Sequence, residues 1–273
     1  MRYIITGASS GLGLAATRAL SAAGAHVILA VRDERKARDA TAGLSGVDIR
    51  HADLADLDSV RAFAGSVDHA DVLINNAGVM APARTDSAQG HELQFAVNHL
   101  AHFALTGLLL DRLTTRVVTV TSVLAKKGRL NFGDLRAGSP SVLYNQSKLA
   151  NAVFGLELHR RLAGSSVLSL LAHPGYAVTG LQAGMRPSLN RLFLTRIGNP
   201  LLAVPAEKGA RPILHAATDP SVTGGQLIGP GGPGEIRGEP VVLEPAPAAT
   251  DPETGRRLWE LSEKLTGVYY PQA

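Results

Sequence analysis

The sequence predicts an α/β protein: a single domain built on a doubly wound, seven-stranded parallel sheet with helices on both faces. Three observations predict it. Short apolar runs alternate with helix-length periodic stretches along most of the 273 residues, as crossover helices between parallel strands require. The first apolar run leads straight into a glycine-rich turn that opens a helix. There is no internal repeat, and the breaks in the alternation fall inside or after one sheet.

The first strand is expected at Tyr3–Ile5. T-G-A-S-S-G-L-G (Thr6–Gly13) follows, then a helical pattern to Ala23, a stop at Gly24, and a second strand at His26–Val31. This is a βαβ unit of roughly 30 residues. Further strands are expected at Asp48–Arg50, Val72–Ile74, Arg116–Thr121, Val167–Leu171 and Gln226–Ile228. Helices are expected near Arg35–Gly43, Leu57–Gly65, Ser87–Leu113, Val142–Leu162 and Ala206–Ala217. A closing helix spans Pro252–Thr266, with Asp251 as its cap. Two segments break the rhythm. Tyr176–Pro205 is long and apolar, basic in patches, and shows no strand pattern. Gly229–Pro252 is rich in Pro and Gly and is expected to be a surface loop. The domain therefore reads as a core over 2–229 with a C-terminal loop and helix over 230–273.

An apolar fraction of 45% allows a substantial core. The formal charge of +4 is spread out, with short clusters only at Arg32–Lys36 and Lys126–Arg129, and no basic stripe or reader motif points to nucleic acid. Without cysteine, thiolate zinc sites, disulfides and Cys nucleophiles are excluded; this composition suits the cytoplasm. The first strand begins close to Arg2, which leaves no room before it for a signal peptide or anchor, and no apolar run approaches the ~20 residues that span a bilayer. His99 and His102 lie three apart on a helix with His91 nearby, but without an acidic partner or H-E-x-x-H no metal is expected. There is no G-x-S-x-G elbow for a hydrolase.

Gly7, Gly11 and Gly13 let the backbone turn tightly and approach a pyrophosphate seated on a helix N-terminus; an ordinary glycine turn uses the same residues. At the end of the second strand, where NAD sites commonly place an acid for the ribose 2′-hydroxyl, stands Val31. Arg32 follows, suited to the 2′-phosphate of NADP or, as an ordinary surface residue, to pairing with Asp33. N-N-A-G (Asn75–Gly78) closes the fourth strand on the ligand-binding edge, where its amides either lock neighbouring strands or form an Asx turn. Ser122 ends the fifth strand on that edge. Tyr144 and Lys148 stand at i and i+4 on one helix face. An ammonium lowers a nearby phenol's pKa towards working pH, making it a proton donor and acceptor; a packed ring and a solvated amine would share that spacing.

Together, T-G-x-x-x-G-x-G, N-N-A-G, the strand-end Ser122 and Y-x-x-x-K resemble the short-chain dehydrogenase/reductase family from Tyr3 to about Gly229, and hence its Rossmann fold. Y-N-Q-S-K-L-A-N, H-P-G at His173–Gly175 and R-R-L-W-E-L-S-E look most like the branch that contains retinol dehydrogenases and protochlorophyllide-reductase-like proteins. The resemblance implies an NADP(H)-dependent oxidoreductase interconverting a small apolar carbonyl and its alcohol. Tyr144 would be the general acid/base, Lys148 would tune it and bind the nicotinamide ribose, and Ser122 would hold the substrate oxygen. Asn98 would hold a relay water. Gly7, Ser9, Ser10, Gly11, Leu12, Gly13, Arg32, Asp53, Leu54, Asn76, Ala77 and Gly78 would line the cofactor, with Asp53 at the adenine and Asn76 at the adenosine ribose. Pro174, Gly175 and Thr179 would seat the nicotinamide. Members of that branch that sit in membranes carry an N-terminal anchor, which is not expected here. Tyr176–Pro205 would form a lid, with Leu181, Met185, Leu189, Leu192 and Phe193 against the substrate. The resemblance also implies a dimer or a monomer rather than the family's common tetramer. The long helices near Ser87–Leu113 and Val142–Leu162 would pair across a two-fold axis in a homodimer. The Gly229–Pro252 loop and the closing helix would cover the second family interface, made by the last strand and its flanking helix. Reduction of an activated C=C bond, or cofactor binding without turnover, are the alternatives.

Overall fold

The structure, a computed structural model, describes residues 1–80, 85–176 and 204–270. One sheet organises them, in the order β3-β2-β1-β4-β5-β6-β7-β8. The strands are β1 (Arg2–Thr6), β2 (His26–Val31), β3 (Val47–His51), β4 (Ala70–Asn75), β5 (Leu113–Val120), β6 (Leu168–Ala172), β7 (Leu227–Pro230) and β8 (Pro240–Leu243). β1 to β7 pair in parallel. The order reverses direction between β1 and β4, which opens a crevice at their C-terminal ends.

The helices are α1 (Gly11–Ala22), α2 (Glu34–Ala40), α3 (Leu57–Gly65), α4 (Leu93–Arg112), α5 (Pro140–Arg161), α6 (Ala206–Thr218), α7 (Pro247–Thr250) and α8 (Pro252–Thr266). Residues of successive strand positions point to opposite faces, so each strand feeds two cores. Ile4, Ile28, Leu73 and Val117 pack under α3, α4 and α5 with Phe63, Phe103 and Phe154. Tyr3, Ile5, Leu29, Ile74 and Val118 pack under α1 and α6 with Leu12, Leu20 and Ile213. Each such side chain, fully buried, contributes about 1.5–3 kcal/mol.

Three expectations need correction. The sheet has eight strands, and the eighth is antiparallel: Gly229–Pro252 is not a plain loop, because β8 returns along β7 with Leu227 opposite Leu243 and Pro230 opposite Pro240. The charges and prolines of that stretch suit an edge strand. Second, α4 is, by length and composition, apolar enough to cross a bilayer; 78% of its span is buried inside the fold, which accounts for its apolarity. Third, α8 lies against α5 and α4, with Leu258, Trp259 and Ser262 buried. The closing helix, expected over the last strand, packs instead on the two helices expected to pair two copies.

The same closing segment gathers the sparse aromatics. Trp259 meets Phe103 edge-on at 5.1 Å and Tyr270 at 4.4 Å, Arg161 stacks on Trp259, and the Tyr270 hydroxyl donates to the Phe103 carbonyl. Asp251 caps α8 as expected, accepting from the N–H groups of Glu253 and Thr254.

Candidate active site

The nucleotide end is built from β1, its turn and β4. Gly7 has φ +68°, and a Cβ there would stand 2.9 Å from the Cα of Ala77. A Cβ on Gly13 would stand 2.7 Å from Asn76 Nδ2 and 2.7 Å from the Gly7 carbonyl oxygen. These close approaches draw Thr6–Gly13 against Asn76–Ala77. Ser10, the N-cap of α1, makes no side-chain cap bond, so the first N–H groups of the helix are available to an anion. Glycine cradle and open helix end together fit a dinucleotide pyrophosphate.

Thr6 holds this junction. Its Oγ1 accepts from the N–H groups of Asn76 and Ala77, each at 2.9 Å. Asn76 Nδ2 donates to the Thr6 carbonyl at 2.8 Å, so one amide of N-N-A-G does lock neighbouring strands. The other does not: Asn75 Nδ2 donates to Thr106 Oγ1 on α4. Val31 is buried, and Arg32 is exposed with no bond to another described residue. Asp33 is not its partner; it caps α2 by accepting from the Lys36 N–H. Asp53 spends one oxygen on the Ala55 N–H, and Leu54 is buried.

The chemical end is built from β5, α4 and α5. Ser122 follows β5 and caps the short 3-10 helix Val123–Lys127, accepting from the Leu124 N–H at 3.2 Å. Its hydroxyl also lies near the Tyr144 phenol and favours the phenolate. The ring centroid of Tyr144 lies 6.0 Å from Lys148 Nζ, which donates to the Val120 carbonyl at 3.2 Å. Asn98 lies in a π-helical segment of α4, Ala96–Leu100. Its Oδ1 accepts from the Val79 N–H, and its Nδ2 donates to the Val79 carbonyl and to Ser147 Oγ. The structure therefore brings Asn98, Ser122, Tyr144 and Lys148 to one place, next to Gly78, whose missing Cβ would lie 3.3 Å from Lys148 Nζ.

Electrostatics differ from expectation in one respect. Burial pushes the Tyr144 phenol up to about 12, with the nearby Ser122 hydroxyl opposing it. Burial pulls Lys148 down to about 8. The polypeptide alone thus does not lower the phenol through the ammonium; desolvation wins at both groups, because each loses more solvation than its neighbours return.

Sequence reasoning missed four supporting residues. His102 on α4 bonds Thr6 Oγ1 and the Asn98 carbonyl. Ser147 joins Asn98 to the Tyr144 carbonyl. Thr121, which precedes Ser122, donates to the Lys148 carbonyl at 2.7 Å. Asn151, a turn beyond Lys148, donates to the same Val120 carbonyl. Only helical spacing, His102 four after Asn98 and Asn151 near Lys148, could have flagged two of them. Pro174 and Gly175 end β6 on the same edge. Thr179 lies outside the described residues, as do Leu181, Met185, Leu189, Leu192 and Phe193 of the expected lid. The Val204 N–H donates to the Tyr176 carbonyl at 2.9 Å, so the described chain leaves and re-enters at one point.

Residues 2–190 match the family model described as short chain dehydrogenase. The chain belongs to the short-chain dehydrogenase family. Among relatives in this family, mouse retinol dehydrogenase 14 is 38% identical, the alignment covering 97% of this chain and 85% of the relative. Human retinol dehydrogenase 13 is 36% identical over 98% and 85%. In three dimensions the short-chain dehydrogenase fold is shared with an uncharacterised protein of Mycobacterium paratuberculosis: TM-score 0.85, 44% identity, 99% of this chain and 94% of that one. It is also shared with a Beutenbergia cavernae protein described as an NAD(P)-dependent gluconate 5-dehydrogenase with NADP bound at low occupancy. That match has a TM-score of 0.63, 28% identity, and covers 83% of this chain and 93% of that one.

Proposed function

We propose that this short-chain dehydrogenase is an NADP(H)-dependent oxidoreductase that interconverts an apolar aldehyde or ketone and its alcohol. The convergence of Ser122, Tyr144 and Lys148 beside the glycine cradle carries this reading. When bound, the dinucleotide supplies or accepts the hydride. The N–H groups at the start of α1 hold its pyrophosphate, and the unpaired Arg32 guanidinium takes the 2′-phosphate, for which Val31 offers no competing carboxylate. Lys148 holds the nicotinamide ribose. Ser122 orients the substrate oxygen towards Tyr144, whose phenol, kept protonated by burial, gives a proton to the oxygen as the carbonyl is reduced. Two fixed hydroxyls in a dry site also stabilise charge developing on that oxygen. Asn98, fixed through its carbonyl by His102, would hold the relay water. Similarity to retinol dehydrogenases supports an apolar primary alcohol or its aldehyde as substrate.

The test is turnover of NADPH and NADH against aldehydes of increasing chain length, ketones and activated alkenes. Oxidation of NADPH with long-chain aldehydes is expected. Reduction of alkenes alone would replace this reading with C=C reduction, and tight NADPH binding with no turnover on any substrate would leave a binding protein.

A further inference from the structure

Beside the catalytic group lies a polar cluster that the reaction as described does not use. Glu235 belongs to the 3-10 turn Pro233–Glu235, between β7 and β8. Its Oε1 accepts from Lys126 Nζ. Its Oε2 lies 3.3 Å from His173 Nε2, a close electrostatic approach without hydrogen-bond geometry. Lys126 sits on the 3-10 helix that Ser122 caps. His173 immediately precedes Pro174-Gly175 and is buried. One carboxylate from the C-terminal extension therefore joins the substrate-oxygen side of the site to the turn after β6.

The backbone marks the same residue. Glu235 has φ +56° and is the only non-glycine with positive φ among the described residues. Its neighbour Gly234, at φ +65°, and Gly238, at φ +142°, meet that demand with glycine. A side chain retained in the left-handed region is over-determined by its surroundings, and such residues cluster where geometry serves function.

The turn is clasped from both sides. The Gly175 N–H donates to His173 Nδ1 at 3.0 Å, which leaves the neutral ring's proton on Nε2, facing Glu235. Burial pulls His173 down to about 4 against the raising influence of Glu235, so the ring holds this tautomer at neutral pH. The next carbonyl along, Ile236, accepts from the Tyr176 N–H at 3.0 Å. A Cβ on Gly175 would stand 2.3 Å from that Ile236 oxygen, so only glycine lets the two segments meet.

We propose that Glu235 is a positioning residue: through His173 and Lys126 it sets the Pro174-Gly175 turn against the Ser122 helix, and so the distance between bound nicotinamide and substrate oxygen. The inference rests on the oxidoreductase reading above. Glu235→Gln keeps the size and removes the charge. Glu235→Gly removes the carboxylate and relieves the backbone. Lys126→Met breaks one arm only. In the full-length protein, each Glu235 variant is expected to lose at least tenfold in kcat with NADPH and an aldehyde substrate. KM for the aldehyde should change less than threefold, the NADPH Kd by fluorescence titration should rise severalfold, and Lys126→Met should give a smaller loss in the same direction. Assays run well below each variant's Tm, with folding checked by circular dichroism. Variants that bind and turn over like the wild type, even with a lower Tm, would make Glu235 a purely structural residue and overturn the inference alone. A wild type that neither binds NADPH nor reduces any carbonyl would overturn the parent reading, and this one with it.

Discussion

His102 Nδ1 donates to the backbone carbonyl of Asn98 across 2.9 Å. Because a carbonyl only accepts, the proton is on Nδ1, and Nε2 accepts from the Thr6 hydroxyl, also at 2.9 Å. One neutral imidazole, held down to about 4 by burial, therefore connects the π-helical segment of α4 to the nucleotide turn. The lowered pKa keeps it in this single tautomer at neutral pH.

Replacing His102 with Ala removes both bonds, so the buried Thr6 hydroxyl loses its His102 acceptor while still accepting from Asn76 and Ala77, and the Asn98 carbonyl loses its side-chain donor. Each such loss costs about 1–3 kcal/mol. Urea unfolding is expected to show a loss in that range or above, and NADPH affinity is expected to fall because Thr6, without that acceptor, holds Asn76 and Ala77 less firmly. A variant as stable as the wild type would mean that the surroundings repair the gap.

Tyr144→Phe deletes the proton donor while leaving the ring that packs beside Lys148. Turnover is expected to fall by about 10²–10⁴, with the NADPH Kd within twofold. Lys148→Met is expected to damage both quantities. Steady-state kinetics and fluorescence titration separate the two patterns, and an active Tyr144→Phe enzyme would remove the phenol from the mechanism.

Acid should unfold this protein early. Burial holds His99 near 3, His102 near 4 and His173 near 4, all below the ordinary value of about 6.5. As pH drops below 6.5 the unfolded chain takes up protons that the folded chain refuses, so stability is lost as pH falls from 6.5 towards 4. Each histidine contributes up to about 1.4 kcal/mol per pH unit in that window. Urea midpoints at pH 7, 6 and 5 are expected to fall steadily, and less steeply in a His99→Gln variant. Equal midpoints across that range would contradict the burial argument.

Arg32→Ala is expected to raise the Kd for NADPH at least tenfold and leave that for NADH within twofold, since only the phosphate meets the guanidinium. Isothermal titration of both cofactors decides it. Equal losses would return Arg32 to the role of an ordinary surface residue.

Light scattering is expected to give a species smaller than a tetramer. α8 packs on α5 and α4, and β8 pairs along the outer edge of β7, so segments of the same chain lie on both surfaces expected to assemble. Trp259→Ala, which empties the aromatic cluster under α8, is expected to cost about 3–5 kcal/mol and to promote association. A stable tetramer of the wild type at low micromolar concentration would refute this.

The parallel strands were legible in the sequence to within a few residues, because most carry short apolar, β-branched runs set off by the helical stretches between them. The glycine turn, Ser122, Tyr144 and Lys148 were legible because their chemistry demands particular residues at particular spacings. β8 was not: its four residues are largely exposed, with Val241 and Val242 both facing solvent, so burial leaves no periodic trace and pairing with β7 alone creates the strand.

The sequence by itself determined the seven parallel strands, the Ser122, Tyr144 and Lys148 set and the absence of a carboxylate at Val31, since each is a local matter of residue type and order. Tertiary structure alone decided the rest. Thr6 and His102 are far apart in the chain and meet because β1 lies beside β4 under α4. Glu235, Lys126 and His173 come from three separate loops, and their alignment depends on where β7 and β8 turn. The tyrosine's raised pKa also depends on how deeply the finished fold buries it. Burial and long-range contact are properties of packing, and no local spacing records them.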